Sequence, residues 1–174
     1  MVQDRGLGQA LAALGRPPAL VVTDSQAFRQ VAEVTPPGVP LTSFSILMAR
    51  HRGDLATLAE GARAIDALRS GDRVLVAESC THHPIGEDIG RIKLPRWIRE
   101  RTGADLAFDT VAGRDFPDDL SPYRLVIQCG ACMTNRREVL SRILRSRQAG
   151  VPITNYGVAI AHCLGILERA LAPL

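Results

Sequence analysis

Asp72-Arg73-Val74-Leu75-Val76-Ala77-Glu78-Ser79-Cys80-Thr81-His82 and, further along, Tyr123-Arg124-Leu125-Val126-Ile127-Gln128-Cys129-Gly130-Ala131-Cys132 share one pattern: an apolar run that ends in a cysteine motif. Each run reads as a buried strand. In an open parallel sheet, ligands gather outside the carboxyl ends of the strands. Two strands that deliver cysteines to the same edge would close one site. Cys80, His82, Cys129 and Cys132 supply three thiols and an imidazole, donors that soft or borderline metals select.

Outward from these runs, strands alternate with helices. Toward the N-terminus, Gln3 to Leu14 reads as a short helix stopped by Gly15 and Pro17-Pro18. Ala19–Thr23 reads as a strand, Gln26–Val34 as a helix with Asp24 or Ser25 as its cap, and Val39–Ile46 as a second strand. From Asp54, a predicted N-cap, Leu55, Leu58, Ala62, Ile65 and Leu68 recur at helical spacing. Ser70-Gly71-Asp72 ends that unit and sets the predicted boundary between residues 1–70 and 71–174. Beyond the first cysteine motif, a helix is expected around Arg96–Arg101 and a strand at Leu106–Val111. After the second motif come a helix at Asn135–Gln148, a strand at Val151–Thr154 and a last helix at Tyr156–Leu171. The alternation predicts an α/β fold of two small parallel-sheet domains with flanking helices. The first half holds only two strands with exposed edges, so pairing of two copies edge to edge is expected.

Composition narrows the function classes. Hydrophobic residues make up 46% and charged residues 22%, the balance of a globular protein. No apolar run approaches the roughly 20 residues a membrane span needs, and the N-terminus lacks a signal-peptide core. The expectation is a cytoplasmic protein without membrane association. The net charge of +3 is carried by arginine, with Lys93 the sole lysine. The arginines are scattered and aromatics amount to 4%, so no nucleic-acid stacking surface is expected. Four cysteines in a reducing compartment point to metal ligands or free thiols ahead of disulfides.

Three chemistries suit Cys80, His82, Cys129 and Cys132 on residue type alone. They are a structural Cys3His zinc site, an iron–sulfur cluster on three thiolates, and a CxxC thiol oxidoreductase. Cys132 precedes a helix whose expected cap is Thr134 or Asn135, a place that favours a thiolate. Cys163 reads as helix core, and His51 and His162 as surface or partly buried residues outside any metal site. Arg91, Lys93 and Arg114, in loops after strands, are candidates for the rim, and His83 for a ligand or a hydrogen-bond donor at the site.

The stretches Glu78-Ser79-Cys80-Thr81-His82-His83-Pro84-Ile85-Gly86-Glu87-Asp88-Ile89-Gly90-Arg91, Gln128-Cys129-Gly130-Ala131-Cys132-Met133, Asn135–Glu138 and Gly150–Ile160 closely resemble the cluster-binding domain of the FeFe-hydrogenase maturation GTPases, the HydF family. Val21–Phe28 and Pro40–Leu47 resemble that family's dimerisation domain. The resemblance implies a homodimer and a 4Fe–4S cluster on Cys80, Cys129 and Cys132, with His82 as a further candidate ligand. It implies a scaffold that receives a diiron precursor bearing CO and cyanide from radical-SAM maturases and passes it to apo FeFe-hydrogenase, for assembly of the H-cluster. Two departures stand out. Gln128 occupies a place where the family often has histidine. No G-x-x-x-x-G-K-[ST] phosphate loop is found, so the chain is expected to be no enzyme: a truncated form, a gene fragment or one part of a split protein.

Overall fold

The computed structural model describes residues 6–25, 27–79, 87–113 and 115–174. Its first sheet has two parallel strands, β1 (Val21–Thr23) and β2 (Leu41–Ser43), with Val22 opposite Thr42. α1 (Leu7–Ala12) precedes β1, and α2 (Phe28–Val34) crosses from β1 to β2. Asp24 accepts from the Ala27 N–H at 3.0 Å, so it closes the turn into α2, while Ala27 holds the cap position itself.

The expected strand Val39–Ile46 is shorter than predicted. Ser43 ends β2, and its Oγ accepts from the Ile46 N–H at 3.4 Å, so the chain turns into α3 (Phe44–Arg52). The serine cap satisfies a donor that a continuing strand would leave unpaired, and the apolar residues after it then bury as a helix face. α4 (Leu55–Arg63) follows, capped by Asp54 as predicted, and runs on as a 3-10 turn to Ala67.

The second sheet contains β3 (Arg73–Glu78), β4 (Ala107–Ala112), β5 (Leu125–Gln128) and β6 (Ile153–Asn155), all parallel, in the order β4-β3-β5-β6. The chain steps from β3 to one side through α5 (Leu94–Thr102), then crosses back to β5 and continues outward through α6 (Arg136–Gln148) to β6. Right-handed crossovers in opposite directions carry α5 and α6 to opposite faces. β3 and β5 are the inner strands; Val74, Leu75, Val76 and Ala77 of one and Leu125, Val126 and Ile127 of the other are fully buried. The crevice between β3 and β5 is the point where the strand order reverses.

The predicted last helix is two. α7 (Tyr156–Cys163) stops at Gly165, whose φ of 71° places it in the left-handed region, and α8 (Leu167–Leu171) follows. The Gly165 N–H donates to His162 C=O and the Ile166 N–H to Ala161 C=O, the paired bonds of a glycine-ended helix.

The two sheets share one apolar core. α4, on the N-terminal side of the predicted boundary at residue 70, packs on β6 and α7, and α8 packs on β2. Arg169 of α8 donates to the carbonyls of Ala32, Thr35, Pro36 and Val39 and so ties the α2–β2 connection to the C-terminus. Among the described residues no helix is long and apolar enough to cross a membrane.

Candidate functional site

β5 delivers the second cysteine motif to the edge of the sheet. The Cys129 N–H donates to Ala77 C=O of β3 at 2.9 Å, so the strand ladder runs up to the cysteine itself. The chain then turns sharply. Ala131, buried, has a φ of 56°, which a residue with a Cβ adopts only where its surroundings impose it. The Thr134 N–H closes the turn on Ala131 C=O at 3.2 Å, and Asn135 caps α6 by accepting from the Glu138 N–H at 2.9 Å. Cys129 is half-buried and Cys132 exposed, and neither is in a disulfide.

α3 reaches this loop from the first half of the chain with both its ends. At its N-terminal end, Ser45 Oγ accepts from the Gly157 N–H at 3.1 Å, and Asn155 donates to Ser45 C=O at 3.0 Å. A Cβ on Gly157 would lie 2.4 Å from Ser45 Cβ, so only glycine admits this approach, and one on Gly130 would lie 3.2 Å from Ser45 Oγ. At its C-terminal end, Arg52 Nη1 donates to three loop carbonyls, Ala131 at 2.7 Å, Cys132 at 3.0 Å and Thr134 at 2.7 Å.

On the β3 side the described chain runs to Ser79, the residue before Cys80. Arg142 of α6, only 3% exposed, donates to Ser79 Oγ at 3.3 Å, to Gly113 C=O at 2.9 Å and to Glu138 at 3.2 Å. Its guanidinium also lies over the Phe116 ring at 5.2 Å. One buried cation thus joins the ends of β3 and β4 to the start of α6. Glu78 accepts from the Tyr156 hydroxyl at 3.3 Å and pairs with Arg91 at 3.5 Å. Burial, then the Glu78 carboxylate and Cys129, push the Tyr156 phenol far above its ordinary pKa, so it stays a proton donor. Arg91 belongs to a π-helical turn, Ile89–Lys93, whose first residue follows the Asp88 cap. Such turns recur at functional sites.

The structure therefore brings Cys129 and Cys132 together on one turn. Cys80 and His82, with His83 and Arg114, lie outside the described residues. Among the described residues no group of three or more His, Cys, Asp or Glu side chains is placed to hold a metal. Cys163 is elsewhere: it lines a cleft of about 370 Å³ with Arg29, Ala32, Glu33, Leu164 and Ile166, and burial pushes its thiol up to about 12. His162 is buried, contrary to its reading as a surface or partly buried residue. Its Nε2 lies 3.1 Å from Asp66, at the C-terminal turn of α7, where the core closes over it. His51 is exposed, and its carbonyl accepts from Arg136.

Neither Arg52 nor Arg142 stands out in the sequence. Both are arginines in an arginine-rich chain, and nothing in their neighbours marks Arg142 as buried or Arg52 as bonded to the loop. Asn155 carries a usable signal, because an asparagine directly before a helical run is a cap. It serves as one here, accepting from the Val158 N–H at 2.9 Å.

A comparison with curated proteins finds no match. The family model of the Hydrogen maturase F dimerization domain matches residues 1–53, and that of the Hydrogen maturase F tetramerization domain matches residues 56–173. Matched over nearly its whole length by these two models in succession, the chain belongs to the hydrogen maturase F family.

Proposed function

We propose that this chain is an oligomeric scaffold of FeFe-hydrogenase maturation that holds a 4Fe–4S cluster and carries the diiron subcluster precursor as its cargo. The family assignment points to hydrogenase maturation, and both domain names to oligomerisation. The observation that carries the finer reading is the position of the Cys129–Cys132 turn. It leaves β5 beside the end of β3, in the crevice where the strand order reverses, and Cys80 is the second residue after β3. Crevices of this kind are where open α/β sheets bind their ligands.

The donor set fits the cluster. Cys129 and Cys132 are free thiols on a turn that contains a left-handed residue, the backbone type that gathers N–H groups around anions and iron–sulfur sites. Cys80, Cys129 and Cys132 would hold it, with His82 as a replaceable fourth ligand. Bound there, the cluster supplies an iron whose weak ligand an incoming cyanide-bearing precursor can displace. The chain's own residues supply the surroundings. Arg91 and Lys93 lie in the turn that leads from Asp88 to α5 and, with Arg114, would offset the cargo's negative charge. Tyr156 offers a fixed proton donor at Glu78. No bond-making step is assigned to the chain, which is read as a carrier and not as an enzyme. Radical-SAM maturases would load it and apo-hydrogenase would receive the cargo.

Anaerobic reconstitution with iron and sulfide tests this. Cys129→Ala should abolish stable cluster binding, because two thiolates hold a cubane poorly. His82→Ala should keep the cluster but alter its EPR spectrum or its response to added imidazole. Equal loss in both variants would make His82 an essential ligand and overturn the open-site reading. A colourless wild type with bound zinc would establish a Cys3His module instead. A colourless, metal-free one would favour thiol redox chemistry, for which Cys132 has the needed exposure.

A further inference from the structure

We infer that α3 acts as a clamp on the cysteine turn, with Arg52 as the positioning residue that sets the turn's shape. The inference rests on the proposed cluster only for its consequence. The clamp itself stands on geometry. A single nitrogen, Arg52 Nη1, meets the carbonyls of Ala131, Cys132 and Thr134 at 2.7, 3.0 and 2.7 Å. In a planar trans peptide the C=O and the next N–H point in opposite directions. Drawing these three carbonyls toward Arg52 therefore turns the N–H groups of Cys132, Met133 and Asn135 away from it. Ala131 sits at a φ of 56°, a left-handed conformation that a residue with a Cβ keeps only when its surroundings hold it. Arg52 supplies that hold with charge-assisted bonds, about twice as strong as neutral ones.

The second grip is independent. Ser45, at the opposite end of α3, presses on Gly157, stands against Gly130 and bonds the Gly157 N–H and Asn155. The turn is thus held at residues 131–134 by Arg52, and Ser45 leaves little room for a side chain at Gly130, both from one helix. That helix lies within residues 1–53, matched by the dimerization model, whereas the turn lies within the tetramerization match. α3 follows β2 without a linker, so a shift of the small sheet is carried directly to the thiols. With the carbonyls turned aside, the amides on the opposite side of the turn are free to donate to sulfur.

The test compares full-length Arg52→Met, Arg52→Gln and Arg52→Lys with the wild type. Met keeps the length but donates nothing; the Lys ammonium offers three donors from one nitrogen. The first readout is amide hydrogen exchange in the metal-free protein at Thr134, whose N–H closes the turn on Ala131 C=O, with Leu75 and Val126 of the sheet as references. Arg52→Met and Arg52→Gln should speed exchange at Thr134 about tenfold or more, because the turn it closes opens more often once the two Nη1 hydrogens no longer hold its carbonyls. The reference amides should stay unchanged, and Arg52→Lys should restore most of the protection. The second readout is the rate at which a chelator strips iron from reconstituted protein, which should rise in the same order. Turn exchange equal to wild type in Arg52→Met would overturn the inference. So would a rise shared equally by Leu75 and Val126, since that reports loss of global stability. If the wild type takes up no iron, the cluster reading fails while the exchange result still decides the role of Arg52.

Discussion

Arg142 shows at the scale of one residue how the sheet edge is built. A guanidinium that is 3% exposed survives burial because its donors are used at Ser79, Gly113 and Glu138 and its face lies on Phe116. Arg142→Met should destabilise the fold by about 1–3 kcal/mol in urea unfolding, because the Gly113 carbonyl is left without its donor. Arg142→Lys should recover little, since a point charge cannot reproduce a fork that serves three acceptors. Unfolding curves that coincide with wild type would show the network to be idle. The sequence makes the thiols visible and leaves the arginines invisible. Cysteines are rare and their spacing is chemical, whereas Arg52 and Arg142 are two among 21 basic residues, and the carbonyls they bond lie 29 or more positions away.

The elements show what local rules can reach. The Asp54 cap and the Asn135 cap follow from residue type and the apolar periodicity after them, and both are present. The end of β2 was harder to see. Phe44, Ser45 and Ile46 are as compatible with a strand as with a helix, and the Ser43 cap decides between them. Gly165 likewise lies inside a helical pattern and becomes a stop only once α8 has β2 to pack on. The Asp54 cap gives a signed prediction. The Thr57 N–H, then its hydroxyl, holds the Asp54 carboxyl below its usual range. A carboxylate depressed in the folded state stabilises fully above its unfolded pKa of about 3.9 and loses that contribution as pH falls through the folded value. Asp54→Ala should therefore cost about 1 kcal/mol at neutral pH and progressively less as the pH falls below about 4. Asp54→Asn, which keeps the capping oxygen, should cost only tenths. An Asp54→Ala deficit that does not shrink in acid would exclude the ionised cap.

The whole molecule turns on its strand order. Parallel alternation is readable from the sequence, because β3 and β5 are continuous apolar runs and both faces of the sheet are covered. The order β4-β3-β5-β6 is not, since hydrophobic pattern is blind to which neighbour a strand selects. That order makes β3 and β5 adjacent, with Ala77 opposite Gln128, so the two cysteine-bearing segments leave the sheet side by side. The central claim is that these segments, 49 positions apart between Cys80 and Cys129, form one cluster site. Iron and acid-labile sulfide per chain, after anaerobic reconstitution of the wild type and of Cys80→Ala, test it most directly. About four of each are expected in the wild type, with near-complete loss in Cys80→Ala. A Cys80→Ala protein that keeps the full wild-type complement would contradict it.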